Sequence, residues 1–385
     1  MISIRQPEQP LARGYLEARG GFAWWYLDLV DQAGNGIVVI WSYGLPFLPN
    51  YASRAREGSA EPAGQRPSLN VAVYQGGELD CYLLQEYPAD EVQWDRDAGT
   101  FRFGATRCVS RIDDGRRQVR VELDAPVPGS GERLRGSIRA EGASPSVSEG
   151  GFDVGPTEDG ASHEWSPLAV PARGSVDLAV GDTEYRFDGA AYHDRNAANL
   201  PLHELGIERW IWGRLPMGER ESIFYALWPE DGGDPECFAL SIDRGGTVEV
   251  ETDLHLEERD GYRTMGGLEW HRDLRISRAG QDGHPAGSVV RLRQRDVVDS
   301  GPFYMRFITE GVADDGTPTR GFSELIRPGR IDLSRHRPLV QMRVHRLDDD
   351  ENSMWLPLFT GPKKGRIKRL VRHTLEGPIT DMLNS

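Results

Sequence analysis

The residues best suited to chemistry lie in one short stretch, between Tyr185 and Trp212. Within five positions it holds four polar side chains: Tyr192, His193, Asp194 and Asn196. After one short loop follow Trp210 and Trp212, which alternation along a strand places on the same face. A carboxyl group, hydrogen-bond donors and aromatic walls are therefore close in sequence, and we expect the floor of a reactive pocket here.

The chemistry that this stretch favours is proton donation by a carboxyl group. An aspartate has a reference pKa near 3.9, so the pKa of Asp194 must rise by about 3 units, roughly 4 kcal/mol, for the group to stay protonated at pH 7. Burial among aromatic rings can produce that shift. We expect Asp194 to be the general acid, with Tyr192 beside it.

A cation formed by such an acid needs stabilisation without a nucleophile that would trap it. Indole faces provide this at about 0.5–2 kcal/mol per contact when they are desolvated. Trp210 and Trp212 are the first candidates, followed by Trp24 and Trp25. Phe224–Tyr225 is part of the same aromatic set, and we include Tyr225 in the pocket wall.

Polar groups around the acid have predicted roles and plainer alternatives. Asn196 and Tyr304 are expected to orient the acid or a water molecule, and His193 is expected to accept a proton. Strand alternation offers the alternative that His193 points away from Asp194. Glu324 is a candidate second acid or a partnered barrel glutamate. Asn70 either lines the pocket or caps a strand edge.

Composition and motifs exclude several other classes of function. The net charge of −15 argues against a nucleic-acid partner, since such binding depends on Lys and Arg that neutralise phosphates. No phosphate-cradling, dinucleotide, zincin or serine-hydrolase motif occurs. The three cysteines and nine scattered histidines form no metal-binding spacing. We therefore predict neither a metal nor a cofactor.

The dominant sequence pattern is a period of two in short, aromatic or β-branched segments separated by Gly, Pro, Asn and Asp. This pattern predicts an all-β protein, most simply two tandem barrels or sandwiches with a short C-terminal helix. With 385 residues, two domains are expected, at 1–200 and 201–385. Residues 141–162 are rich in Gly, Ser, Pro and acid, which predicts a long surface loop.

Helices are predicted only at Asn50–Glu57 and at about 363–376. The second helix has an apolar stripe and a Lys/Arg-rich face. Its ordinary interpretation is a terminal helix docked on the barrel with solvated charges. The alternative is peripheral contact with an anionic membrane. The N-terminus does not resemble a signal peptide, and no run of about 18 apolar residues occurs. We therefore expect a cytoplasmic protein, with peripheral contact at the inner face of the membrane as the alternative.

Seven short motifs in order resemble the carotenoid 1,2-hydratase family, also called hydroxyneurosporene synthases, between about Trp24 and Arg346. They are Trp24-Trp25-Tyr26 with Asp28, Phe47 to Arg56, Asn70 to Tyr74, Trp165-Ser166-Pro167 with Pro171-Ala172-Arg173, Tyr192-x-Asp194-x-Asn196 with Pro201-Leu202, Arg209-Trp210-x-Trp212-x-Arg214, and Pro302-Phe303-Tyr304. The sequence departs from the family after Asn196, where Ala197-Ala198 replaces a segment that usually contains a glycine.

The resemblance implies a two-domain lipocalin-like architecture and cofactor-free hydration of a terminal isoprenoid double bond in an acyclic carotenoid. Protonation to a tertiary carbocation followed by addition of water would give a 1-hydroxy-1,2-dihydro product. Two alternatives stay open. The first is a cyclase or pericyclase that folds a polyene, and the second is a non-catalytic carrier of apolar ligands. Each of the three binds a hydrophobic small molecule.

Overall fold

The computed structural model describes residues 2–6, 11–95, 99–147, 151–154, 163–279, 285–347 and 352–376. Strands hold 60% of the described residues and helices 12%, which confirms the all-β prediction. The strands form two units, an open curled sheet followed by a closed barrel.

The curled sheet, called the first sheet below, contains the strands of the N-terminal half. They are β1 (Ile2–Ile4), β2 (Phe22–Val30), β3 (Gly36–Tyr43), β4 (Pro67–Gln75), β5 (Glu78–Glu86), β6 (Val92–Asp95), β7 (Thr100–Phe103), β8 (Thr106–Asp113), β9 (Arg116–Pro126), β10 (Arg133–Ala143), β11 (Phe152–Val154), β12 (His163–Val180) and β13 (Thr183–Ala198). The order is β5-β4-β3-β2-β13-β12-β10-β9-β8-β7-β6, with β1 between β11 and β12. The two longest strands, β12 and β13, are therefore central neighbours.

The second unit is an antiparallel barrel in which each strand pairs with the next and the last returns to the first. Its strands are β14 (Ile207–Pro216), β15 (Arg220–Pro229), β16 (Glu236–Asp243), β17 (Val248–Arg263), β18 (Glu269–Ala279), β19 (Pro285–Ser300), β20 (Tyr304–Val312) and β21 (Pro318–Ile326). The predicted division at residues 200 and 201 falls in the connection between β13 and β14, and separate domains on either side stay a prediction.

The chain returns to the first sheet after the barrel. The short strands β22 (His345–Arg346) and β23 (Gly361–Pro362) both pair with β5. The helices are α1 (Gly14–Glu17), α2 (Tyr51–Arg56), α3 (Arg337–Gln341), α4 (Leu356–Phe359) and α5 (Arg366–Glu376). The two predicted helices correspond to α2 and α5. None of the helices in the described part of the chain has the length and apolar composition needed to cross a membrane.

The predicted loop at 141–162 differs from the structure at both described parts. Strand β10 continues to Ala143, and Phe152–Val154 forms β11 against β1. The remaining part, at 148–150 and 155–162, lies outside the described residues.

Three apolar cores result from strand alternation. One fills the inside of the first sheet and another fills the inside of the barrel. The third lies between the outer faces of the two units, and we call it the interface core. Its aromatic members include Tyr26, Tyr74, Trp165 and Tyr192 from the first sheet and Trp210, Trp212, Tyr225 and Phe322 from the barrel.

Two buried arginines of the barrel tie the units together across this core. Arg214 donates to both oxygens of Asp28 in β2 and, at 2.7 Å, to Glu221 in β15. Arg306 donates to Glu324 at 2.8 Å and to the Tyr74 hydroxyl at 2.9 Å.

Candidate active site

Strand β13 carries the candidate acid at the centre of the interface core. Residues 192, 194 and 196 face that core, whereas Ala191 and Ala197 face the inside of the first sheet. Alternation therefore sends His193 to the opposite side from Asp194, where His193 Nδ1–H donates to the Tyr26 carbonyl oxygen at 2.7 Å. The structure thus shows the alternative in which His193 points away from the acid.

Three neutral side chains donate to the Asp194 carboxyl group. Oδ2 accepts hydrogen bonds from Trp165 Nε1 at 2.9 Å and from the Tyr192 hydroxyl at 2.8 Å. Oδ1 accepts one from Asn196 Nδ2 at 2.9 Å. Because two donors occupy Oδ2 and one occupies Oδ1, the position left for a proton is on Oδ1.

The site moves the titration of Asp194 close to neutral pH. Burial raises the pKa of its carboxyl group to about 7, with the negative charge of Glu324 adding to the effect. The three donors oppose the shift, since they favour the ionised form. A group that titrates near the working pH can both give and take back a proton.

His163 fixes the orientation of the amide that contacts the acid. Its Nε2 lies 2.9 Å from Asn196 Oδ1, so Nε2–H donates and Asn196 Nδ2 is directed to Asp194. Burial lowers the pKa of His163 to about 3, which keeps the ring neutral. Among the described residues, His163 Nδ1 has no hydrogen-bond partner.

Aromatic rings surround this polar group. Trp210 stacks on His163 at 5.3 Å between ring centroids, and Trp165 meets Tyr225 edge-on at 5.1 Å. Trp212 lies 5.5 Å from Tyr192. The indole nitrogens of Trp210 and Trp212 are buried without a partner in the described part of the chain.

Ten of the twelve predicted site residues share the face that borders the interface core. They are Asp194, Tyr192, Asn196, Trp24, Trp210, Trp212, Tyr225, Tyr304, Asn70 and Glu324. The structure does not bring His193 and Trp25 to this face. Trp25 packs inside the first sheet against Trp94 and Phe101, because Trp24 and Trp25 are neighbours on one strand.

Three of the ten have a defined local partner or lie away from the acid. Glu324 is paired with Arg306, which agrees with the alternative that it is a partnered barrel glutamate. Asn70 lies on β4, three strands from β13, and donates to the Leu83 carbonyl oxygen. Tyr304 packs on Phe47 at 5.0 Å.

Sequence reasoning missed Trp165 and His163 as site residues. Both lie at the start of β12, and its register with β13 places Trp165 opposite Asn196. Their spacing of two residues, on a strand directly before the acid, was the available signal. Trp165 had been noted only as part of a family motif.

The donor set of the site is a carboxyl, a phenol, an indole, an amide and a neutral imidazole. Within the described ranges, no three His, Cys, Asp or Glu side chains group as metal ligands. The predicted absence of metal and cofactor stays a prediction. The set as it stands is suited to moving one proton in an apolar surrounding.

A family model and two curated proteins match this chain, and all three have names from carotenoid chemistry. A family model described as carotenoid hydratase CrtC matches residues 39–353. A hydroxyneurosporene dehydrogenase of Chlorobaculum tepidum is 25% identical over 93% of this chain and 96% of that protein. An acyclic carotenoid 1,2-hydratase of Thiocapsa roseopersicina is 30% identical, over 60% of this chain and 53% of its own length. The chain therefore spans about half of the second relative.

Solved structures with the same fold are more distant in sequence. A putative AttH of Nitrosomonas europaea has a TM-score of 0.54 and 16% identity, covering 82% of this chain and 93% of the other. CghA, crystallised with Sch210972, has a TM-score of 0.52 and 14% identity, covering 82% and 92%. These likenesses confirm the lipocalin-like fold.

Proposed function

The chain belongs to the carotenoid hydratase CrtC family, and from this premise we propose that it is a hydro-lyase that adds water to a terminal C=C bond of an acyclic carotenoid. The observation that carries the proposal is the buried Asp194, whose pKa is raised to about 7 among aromatic rings. A hydrocarbon substrate has no group that can form hydrogen bonds, so apolar and aromatic side chains would have to bind it.

The first proposed step is protonation of the alkene by Asp194. The Oδ1–H bond breaks, its proton bonds to the less substituted alkene carbon, and the π electrons form the new C–H bond. A tertiary carbocation and the Asp194 carboxylate result. Trp165, Tyr192 and Asn196 stabilise that carboxylate through the three hydrogen bonds already in place.

The second proposed step is capture of the cation by water. A water oxygen bonds to the tertiary carbon and its released proton returns to Asp194, which restores the acid. The net change is the addition of one water, and no electrons are gained or lost. His193 lies on the other face of β13, and burial makes His163 a weak base, so Asp194 is the proposed proton acceptor.

The aromatic walls are proposed to lower the energy of the cation. Trp210 and Trp212 border the acid's neighbours His163 and Tyr192, and both indoles are buried. Each cation–π contact contributes about 0.5–2 kcal/mol when desolvated. Neither of the two indole rings carries a nucleophilic group that would attack the cation in place of water.

The proposal is tested by product analysis. Purified protein is incubated with lycopene or neurosporene dispersed in detergent, and the extract is analysed by chromatography and mass spectrometry. We expect a product heavier by one water, and incubation in H₂¹⁸O should add two further mass units. Binding without conversion would instead favour a carrier, and a product of unchanged mass would favour a cyclase.

Replacing Tyr192 with phenylalanine should raise the pKa of Asp194 further. The variant loses one donor to the carboxylate, and a hydrogen bond to a charged group contributes about 1.5–3 kcal/mol, or about one to two pKa units. The fall in kcat above neutral pH should therefore move to higher pH. Tyr304→Phe is the matched control, since the Tyr304 hydroxyl has no hydrogen-bond partner in the described residues. An unmoved profile in Tyr192→Phe would contradict the assigned role.

The proposed substrate has consequences for location. An acyclic carotenoid is insoluble in water, so the enzyme must meet it in a lipid phase. We propose that the protein works at the inner face of a membrane.

A further inference from the structure

Two arginines anchor helix α5 to the backbone of β5, β23 and the turn before the helix. The buried Arg369 donates to the carbonyl oxygens of Thr360 at 2.9 Å, Pro362 at 2.5 Å and Lys364 at 3.0 Å. Arg366 donates to the Gly361 carbonyl oxygen at 3.2 Å. This anchoring determines which side of α5 is turned outward.

The outward side combines apolar and cationic residues. Ile367 and Val371, the residues that the sequence pattern favours for burial, are 74% and 51% exposed. Lys368 and Arg372 are also exposed and share one arc of α5 with Ile367 and Val371, at spacings of three and four residues, and Lys364 is exposed in the turn just before the helix. Of these cations, Arg372 also donates to the Ser130 carbonyl oxygen.

Helix α4 extends this surface. It packs on α5, and Pro357 of α4 and His373 of α5 contact the same turn at Gly129. Three large apolar side chains at α4 are exposed: Met354, Trp355 and Phe359. Together with Lys364, Ile367, Lys368, Val371 and Arg372 they define what we call the α4–α5 surface.

The charge of this segment is opposite to that of the rest of the chain. Residues 363–372 contain six Lys and Arg and no acid, although the whole protein carries a net charge of −15. Of the six, Lys363 is paired with Glu78, and the two anchoring arginines bond to carbonyl oxygens. The remaining three cations, at 364, 368 and 372, are exposed at the start of α5 and along it.

We propose that the α4–α5 surface docks the protein on an anionic lipid bilayer. Large exposed apolar side chains among cations fit the boundary between headgroups and acyl chains, where such helices lie about 5–10 Å deep. An acidic protein would satisfy the cations but leaves Ile367 and Val371 without a function. The choice of a bilayer also rests on the proposed function, since a carotenoid substrate is dissolved there.

The position of the surface suits delivery of that substrate. Helix α5 docks beside β5, which lies four strands from β13 in the first sheet. At the usual strand spacing this is about 19 Å along the sheet. The surface can therefore rest on lipid while Asp194 stays within the interface core.

The test is sedimentation of the full chain with carotenoid-free vesicles. We expect binding to vesicles of phosphatidylcholine and phosphatidylserine, weaker binding at high salt, and little binding to phosphatidylcholine alone. Lys364→Gln/Lys368→Gln should bind about 30-fold more weakly, at roughly 1 kcal/mol per cation. Ile367→Ser/Val371→Ser should lose about tenfold.

Arg107→Gln/Arg111→Gln is the matched control, because it removes two exposed charges from β8, outside the α4–α5 surface. It should bind as the parent does, and all variants should retain activity on detergent-dispersed carotenoid. Binding that ignores lipid charge, or lysine variants that bind normally, would overturn the proposal. Binding to polyglutamate without binding to vesicles would replace it with an acidic protein partner. Because the vesicles contain no carotenoid, the vesicle-binding result can be interpreted even if the protein shows no hydratase activity.

Discussion

Asp194→Asn should abolish hydration while leaving carotenoid binding intact. An amide cannot donate a proton to an alkene, and loss of a general acid lowers kcat by about 10²- to 10⁴-fold. The substitution keeps the shape of the side chain, so the aromatic walls should hold substrate as before. The measurement is the rate of hydrated product together with binding followed by carotenoid absorbance. Asp188→Asn, an exposed position on the same strand, is the matched control and should keep full activity.

The same variant should change how stability depends on pH. In the unfolded chain Asp194 titrates near 3.9, and in the folded protein its pKa is about 7. A raised folded pKa gives stability that is fully present below pH 4 and is lost as pH rises to 7. The loss amounts to about 4 kcal/mol over this window, and Asp194→Asn lacks it. Chemical denaturation of both proteins at pH 5 and pH 8 measures the difference. Parallel pH profiles would show that the carboxyl group is not buried as described.

Arg214→Met should destabilise the protein by about 3–5 kcal/mol, because it leaves two buried carboxyl groups without their cation. Burial already raises the pKa of Asp28, and it raises that of Glu221 to about 7, while Arg214 opposes both shifts. Without Arg214 both groups must take up protons on folding. The loss of stability should therefore be larger at pH 8 than at pH 5, as measured by urea unfolding.

Two further variants separate an uncompensated charge from simple loss of packing. The triple variant Arg214→Met/Asp28→Asn/Glu221→Gln should recover most of the lost stability, since no buried charge is left unpaired. Arg186→Met breaks an exposed pair with Asp177 and should leave stability almost unchanged, because exposed ion pairs contribute little. A triple variant as unstable as Arg214→Met would mean that the arginine acts by filling space.

Strand alternation was sufficient to predict much of the site. The spacing of Tyr192, Asp194 and Asn196 places them on one face, and the spacing of Trp210 and Trp212 does the same on the next strand. Alternation also separates Trp24 from Trp25 and Asp194 from His193, so two of the predicted residues conflict with the rule that identified the others. The structure shows them on the opposite faces.

The parts that could not be predicted depend on contacts between distant segments. Trp165 of β12 reaches Asp194, and His163 reaches Asn196, only through the register of β12 with β13, which includes two bulges. The location of the site between two units, instead of inside a barrel, depends on how the sheet and barrel pack. The hydropathy pattern alone predicts that α5 buries its apolar stripe. In the structure, Arg369 donates to backbone carbonyl oxygens and so holds the opposite face of the helix against the protein.

The interface core has a consequence for how the enzyme comes into being on the ribosome. When residues 1–200 have emerged, the barrel strands that cover Asp194 have not yet been made, and we expect water to keep its carboxyl group an ordinary, ionised aspartate. The walls that raise its pKa arrive with β14 and β15, and the strands that complete the edge at β5 arrive last. A nascent or truncated chain therefore contains all of β13, but its Asp194 lacks the surroundings that raise the pKa of the carboxyl group. The raised pKa of Asp194 therefore requires the barrel strands as well as β13.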